Sequence, residues 1–304
     1  MPEIFPRANN PAEQAGIRVS SCRVIQYDES VEMAHRANKT HMLMRTLGVL
    51  PGIPHDHLAH LTSALEIACG PGDWTREMGR VYPQMQVIGI DTSARMIAHA
   101  RTMQQRYMST NIDYLLVPEL VGPFPFADAS FDLVSMHNMS LFLLKENWAV
   151  LLAECKRILR PAGLIRITDG EPGFSNAPTH EEFNQLFLHA MCLDGRSFSP
   201  SDRHLGILYE LEPLLFAAGF QVCSDTAHMI NYSYGAPSHE EWKKACLIFA
   251  HLVKPFIVHR GLRTEEHIEM LLQQMSYEMS LPTFHAIIPL LTLWGTKRDE
   301  PSAT

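Results

Sequence analysis

The stretch Leu65-Glu66-Ile67-Ala68-Cys69-Gly70-Pro71-Gly72-Asp73-Trp74-Thr75 decides the fold. It begins as an apolar run, breaks on two glycines, and continues at helical spacing from Trp74 to Val81. That is the pattern of a strand, a tight turn and a helix start. Gly70 and Gly72 carry no Cβ, so a ligand can lie directly against the backbone there. The first amides of the following helix have no intrahelical partner, and they point at that ligand. Such a turn suits a nucleotide-like group or a carboxylate.

The next strand signal, Gln86-Val87-Ile88-Gly89-Ile90, ends on Asp91. An acid at this place, about 20 residues past the glycine turn, is positioned to accept both hydroxyls of a ribose. Dinucleotide binders want a third glycine in G-x-G-x-x-G, but here that position is Thr75. The alternative places an acid inside the first strand, where Glu66 stands.

With these residues the sequence resembles the class I S-adenosylmethionine-dependent methyltransferases of the small-molecule type. Two further stretches carry the resemblance. Pro125-Phe126-Ala127-Asp128-Ala129-Ser130-Phe131-Asp132-Leu133-Val134 is similar to the family's approach to its fourth strand. Glu154-Cys155-Lys156-Arg157-Ile158-Leu159-Arg160-Pro161-Ala162-Gly163-Leu164-Ile165 is similar to its helix, turn and fifth strand. The likeness runs from roughly Tyr27 to Ala236 and returns at the C-terminal strand. It implies an α/β fold: a Rossmann-like, doubly wound, seven-stranded sheet with an antiparallel last strand. An N-terminal helix and helical insertions after the fifth and sixth strands complete it.

The resemblance also implies S-adenosyl-L-methionine as cofactor. By motif position its contacts are Glu66, Ala68, Gly70 and Gly72 at the turn, Asp91, Thr92 and Met96 around the ribose, and Asn138 near the methionine end. One departure stands out. A Gly-Asp pair usually follows the third strand, with its acid facing the adenine amino group. This chain has Val117-Pro118-Glu119, so the adenine contact falls either to backbone groups of Val117 or to Glu119.

Composition narrows the remaining classes. The 304 residues suit one α/β domain with large insertions. With 46% hydrophobic and 19% charged residues the chain can bury a core. A formal net charge of -8 disfavours broad attraction to nucleic acid or to an acidic membrane. The six cysteines form no C-x-x-C pair and no zinc framework, which fits free thiols in a reducing cytoplasm. No signal peptide and no bilayer-length apolar stretch are visible. No metal site is expected, and His55 to His60 reads as a solvated connector.

The organisation expected is an arm and lid helix over residues 1–50 and a cofactor-binding core over 51–236 and 282–298. A substrate cap is inserted at 170–204, and a second helical insertion covers 237–281. The insertions carry Phe183, Phe187, Trp242 and Phe249 among other aromatics, and the chain has 16 methionines. Most of these pack the extra helices; the rest suit an adaptable apolar pocket. The expected acceptor is therefore a small, largely hydrophobic metabolite, natural-product or quinone-like, methylated on oxygen, carbon or nitrogen. The arm or the insertion offers a surface for a second copy of the chain.

Methyl transfer needs a nucleophile held in line, water kept away and sometimes a base. His137, beside the loop facing the transferable group, is the first candidate base, and Tyr27 the second. His35 and Glu171 are weaker candidates. An electron-rich carbon acceptor would need aromatic faces more than a base. Two other readings remain: a cofactor-binding enzyme that catalyses a cyclisation or rearrangement, and a non-catalytic cofactor-binding module.

Overall fold

The computed structural model describes residues 24–25 and 29–298. The N-terminal arm, the Tyr27 candidate and an Asp28 helix cap lie outside the described residues. Five parallel strands form the centre: β1 (Ser63–Ile67), β2 (Gln86–Asp91), β3 (Ile112–Leu116), β4 (Phe131–His137) and β5 (Leu159–Gly170). Their spatial order is β3-β2-β1-β4-β5. β6 (Phe174–Ser175), β7 (Phe220–Asn231) and β8 (Ala286–Lys297) complete the sheet. β8 runs antiparallel to β5 on one side and to β7 on the other.

The sheet has eight strands rather than seven because β5 gives way to a short continuation. β5 pairs with Leu290 to Thr296 of β8, and the two-residue β6 takes up Ile287 and Ala286 beyond it. β7 runs as far as Asn231 because β8 offers it partners down to Ile287.

Chain order reverses between β1 and β4, which are neighbours. The C-terminal ends of those strands therefore open a crevice, the usual ligand position in such sheets. Helix α1 (Glu29–Leu47) precedes the sheet, and Gly48, at φ +85, ends it where expected. α2 (His55–Leu58) is a single helical turn where a connector was expected. The His57 ring there packs on Trp294, 5.1 Å between centroids. α3 (Asp73–Val81) follows β1, α4 (Ala94–Arg106) follows β2, and α5 (Asn147–Ile158) links β4 to β5.

The insertions are helical. α6 (Pro178–Leu193) follows β6, α7 (Ile207–Ala217) leads to β7, and α8 (His239–His259) with α9 (Glu265–Glu278) lies between β7 and β8. Their inner faces bury Phe183, Phe187, Met191, Trp242, Val253, Phe256, Leu272 and Met275. Phe174, Tyr209 and Tyr234 are exposed. α8 packs on α1, α6 and α9, so the insertion and the N-terminal helix together roof the crevice. Among the described residues no helix is long and apolar enough to cross a membrane. None of their His, Cys, Asp and Glu form a group arranged to hold a metal.

Candidate active site

The glycine turn is a left-handed passage. Ala68, Gly70 and Gly72 have φ of 60, 55 and 84, and Gly72 caps α3. A Cβ on Gly72 would sit 2.6 Å from the ring of Tyr114, whose hydroxyl donates to the Gly72 carbonyl at 2.8 Å. Only glycine fits that contact. Asp91 ends β2 across the turn. Its Oδ2 accepts from the Gly70 amide at 2.8 Å, and its Oδ1 accepts from the Ser93 amide at 2.9 Å.

Arg36 of α1 reaches into the same place. Its Nη2 donates to the Ala68 carbonyl at 2.8 Å and to Asp91 Oδ2 at 3.2 Å, and its guanidinium lies over the Phe142 ring. The side chain therefore lies across the turn. It lines both a cavity of about 280 Å³ with Asp91, Thr92, Ser93, Pro118 and Glu119, and an inner one of about 70 Å³ with Glu66, Ala68, Cys69 and Trp74.

Beneath the inner cavity runs a buried polar row. Parallel register places Glu66 beside Ser135, and Ser135 beside Arg166. Residues two apart share a face, so His137 and Thr168 lie on the same side. Thr75, the residue that breaks the dinucleotide fingerprint, donates its hydroxyl to Glu66. Burial pushes the Glu66 carboxyl from its ordinary value up to about 8. Arg166, fully buried, donates to His137 Nε2 at 2.5 Å, to Ser135 Oγ at 3.1 Å and to Thr168 Oγ1 at 2.8 Å. Burial lowers its own pKa to about 9.

His137 ends β4 and lines the inner cavity. Its Nε2 accepts from Arg166, so the proton sits on Nδ1, 3.8 Å from Glu66 Oε1. Trp74 stacks on the ring at 3.7 Å between centroids. Burial, with Arg166 second, holds its pKa well below the ordinary histidine range. Both nitrogens thus face protein groups.

A third cavity, about 120 Å³, opens beyond β4 and β5. Its polar wall is His35 and Lys39 from α1, Asn138 and Ser140 after β4, Asp169 and Glu171 after β5, and His180 and Asn184 from α6. Phe183, Phe187, Trp242, Phe249 and Met275 supply the apolar wall. His35, Lys39, Asn138 and Leu141 line this cavity and the inner one alike, so the two share a wall. Asp169 is held by the Ser140 amide (2.9 Å) and hydroxyl (2.6 Å) and by the Gly170 amide (2.9 Å). Glu171 accepts from the amides of Leu205 (2.5 Å) and Gly206 (2.8 Å), yet burial outweighs these bonds and raises it to about 7. His35 is buried, and burial, then Lys39 and Arg36, lower it to about 3.

Most of the residues named from sequence come together here. Glu66 and Ala68 line the inner cavity, Asp91, Thr92 and Glu119 the larger one, and Asn138 the wall between inner cavity and third cavity. Gly70 and Gly72 contribute backbone. Met96 and Val117 line none of these cavities; both are buried in the core. Sequence reasoning missed Arg36, Lys39, Trp74, Ser140 and Asp169. A signal existed for the first two: Lys39 follows Arg36 by three residues and His35 by four, spacings at which helix side chains are neighbours.

The residues fit an adenosyl cofactor on one observation in particular. Glu119 Oε2 is buried with no hydrogen-bond partner among the described residues, in the cavity that also holds Asp91. An unpaired buried acceptor is costly, and an exocyclic amino group would satisfy it. Residues 64–163 match the family model of a methyltransferase domain.

Over that stretch the chain is similar to methyltransferase domains. The cofactor of such a domain is S-adenosylmethionine. Two of the curated relatives to which part of the chain is similar are both named demethylmenaquinone methyltransferase. The one from Lactococcus lactis is 29% identical over 164 residues, 52% of this chain and 58% of the relative. The one from Shouchella clausii is 34% identical over 143 residues, 45% of this chain and 57% of the relative. The match thus spans less than two thirds of these relatives. Among solved structures, a Haemonchus contortus phosphoethanolamine N-methyltransferase in complex with S-adenosyl-L-methionine superposes with a TM-score of 0.49 at 16% identity. That superposition covers 90% of this chain and 58% of the other.

Proposed function

We propose that the protein transfers a methyl group from S-adenosylmethionine to a small acceptor with a polar head and an apolar body. When bound, that cofactor supplies a sulfonium-activated methyl group. The observation that carries the reading is the shared wall. Arg36 joins the larger cavity to the inner one, and His35, Lys39, Asn138 and Leu141 join the inner cavity to the third. Cofactor and acceptor can therefore meet without crossing solvent.

The chain's own residues divide the work. Asp91 holds the sugar hydroxyls, Glu119 the base, and Glu66 the ammonium group, with Thr92 beside the ribose. Trp74 and Phe142 exclude water from the inner cavity. The roof of α1, α6 and α8 orients the acceptor, whose apolar body rests on Phe183, Phe187, Trp242 and Phe249. The name shared by the curated relatives supports a quinol-like acceptor. His137, pinned by Arg166 and Trp74, positions Glu66 rather than acting as the base.

The test is product mass. Purified protein with methyl-labelled S-adenosylmethionine and a panel of naphthols, naphthoquinols and hydroxylated fatty chains should yield one labelled CH2 unit on at least one hydroxyarene, with S-adenosylhomocysteine as co-product. Cofactor binding without a mass gain on any acceptor would sink the reading.

A further inference from the structure

Lys39 stands at the junction of the inner and acceptor cavities. An ammonium has three donors. Among the described residues the one hydrogen bond of Nζ goes to Asn138 Oδ1, at 3.4 Å, and Lys39 makes no ion pair there. The nearby carboxylate that might have claimed it, Asp169, is already filled by Ser140 and Gly170. The other groups facing this nitrogen are Arg36 and His35 on α1 and Cys246 on α8. None of them is an anionic partner at ordinary pH: His35 is held neutral, and burial pushes the Cys246 thiol up to about 12.

We propose that Lys39 receives the acceptor's reacting oxygen, taking its proton and holding it as an oxyanion beside the inner cavity. This rests on the methyltransferase reading above and narrows its substrate class to a hydroxyarene or an enol. The O–H bond breaks, its electron pair stays on oxygen, and the proton forms an N–H bond on Nζ. The result is an ammonium–oxyanion pair with no change of net charge. Burial lowers the proton affinity of Lys39 more than Asp169 and Cys246 raise it, which favours a nitrogen free to accept. Methylation then falls on oxygen, or on a ring carbon made electron-rich by the oxyanion.

The test is spectroscopic and needs no turnover. 2-Naphthol is titrated into the full chain with S-adenosylhomocysteine present, at a pH where free naphthol is neutral. The bound ligand should show the naphtholate spectrum. Lys39→Met should lose that spectrum and bind roughly 10- to 100-fold more weakly, the range of a hydrogen bond to a charged group. A neutral spectrum in the unmodified protein would overturn the proposal whatever the variant does. So would equal affinity and spectrum in Lys39→Met. Failure of the unmodified protein to bind S-adenosylhomocysteine would instead sink the methyltransferase reading, and this assignment with it.

Discussion

The two sides of the crevice are built by different means. On the cofactor side, a short run of chain does nearly everything: β1, the turn and the tip of β2 bring Glu66, the glycine backbone and Asp91 together by local geometry. On the acceptor side no run is sufficient. His35 and Lys39 come from α1, Asn138 and Ser140 from the end of β4, Asp169 from β5, and Trp242 and Phe249 from α8. The first side is a property of a motif, the second of how helices distant in sequence close over it.

If the two sides are separable, variants should divide cleanly between them. The largest effect falls on Asp91→Ala. It removes the sugar's acceptor and also releases Arg36 and the Gly70 amide. Calorimetry with S-adenosylhomocysteine should show roughly 10²- to 10⁴-fold weaker binding, as expected for two hydrogen bonds to one charged group. Unchanged affinity would break the comparison at its firmer end. Trp242→Ala, on the other side, should weaken naphthol binding roughly tenfold while leaving S-adenosylhomocysteine affinity within about threefold. Loss of both affinities together would mean that the two sides are one unit.

His137→Asn separates a base from a positioning residue. Loss of a general base costs roughly 10²- to 10⁴-fold. With Nε2 engaged by Arg166, turnover should instead fall less than about tenfold, with an unchanged pH profile. Stability should drop by roughly 1–3 kcal/mol, because Arg166 loses a buried partner. Rates and denaturant midpoints measured on one preparation decide it.

The smallest effect is a pH dependence. The Glu66 carboxyl is raised to about 8 in the folded chain, and Glu171 to about 7. Between the unfolded carboxylate range and those values the folded state holds protons that the unfolded state has lost. Stability is therefore fully present below about pH 4.5 and is lost as pH rises toward 8. Below about pH 6.5 the lowered His35 and His137 oppose this loss, so the net fall in melting temperature should come between about pH 6.5 and 8, a few degrees, roughly the size of two kcal/mol at this length. Glu66→Gln should flatten part of it. Cofactor affinity should move the opposite way, rising toward pH 8, because an ammonium ligand selects the ionised Glu66.

The same division explains what could be read without coordinates. The strand, turn and helix around Gly70 and Gly72 were legible because positive φ there demands glycine, whereas the antiparallel last strand was legible only through the family resemblance. Thr75 was legible as a mismatch, but only the structure shows it bonded to Glu66. Lys39 and Arg36 were not legible as site residues, since a helix face with His, Arg and Lys is usually a solvated face. What makes them functional candidates is α8 closing over them. Glu119 was named with Val117 as an option for the adenine; only the structure shows that Glu119 lines the cavity with Asp91 and that its Oε2 has no hydrogen-bond partner among the described residues.

A crystal structure with S-adenosylhomocysteine bound tests the central claim most directly. The account predicts the nucleoside between Asp91 and Glu119, the amino group on Glu66, and the Arg36 guanidinium displaced from Asp91. A ligand elsewhere, with Arg36 still bonded to Asp91 and Ala68, would contradict it.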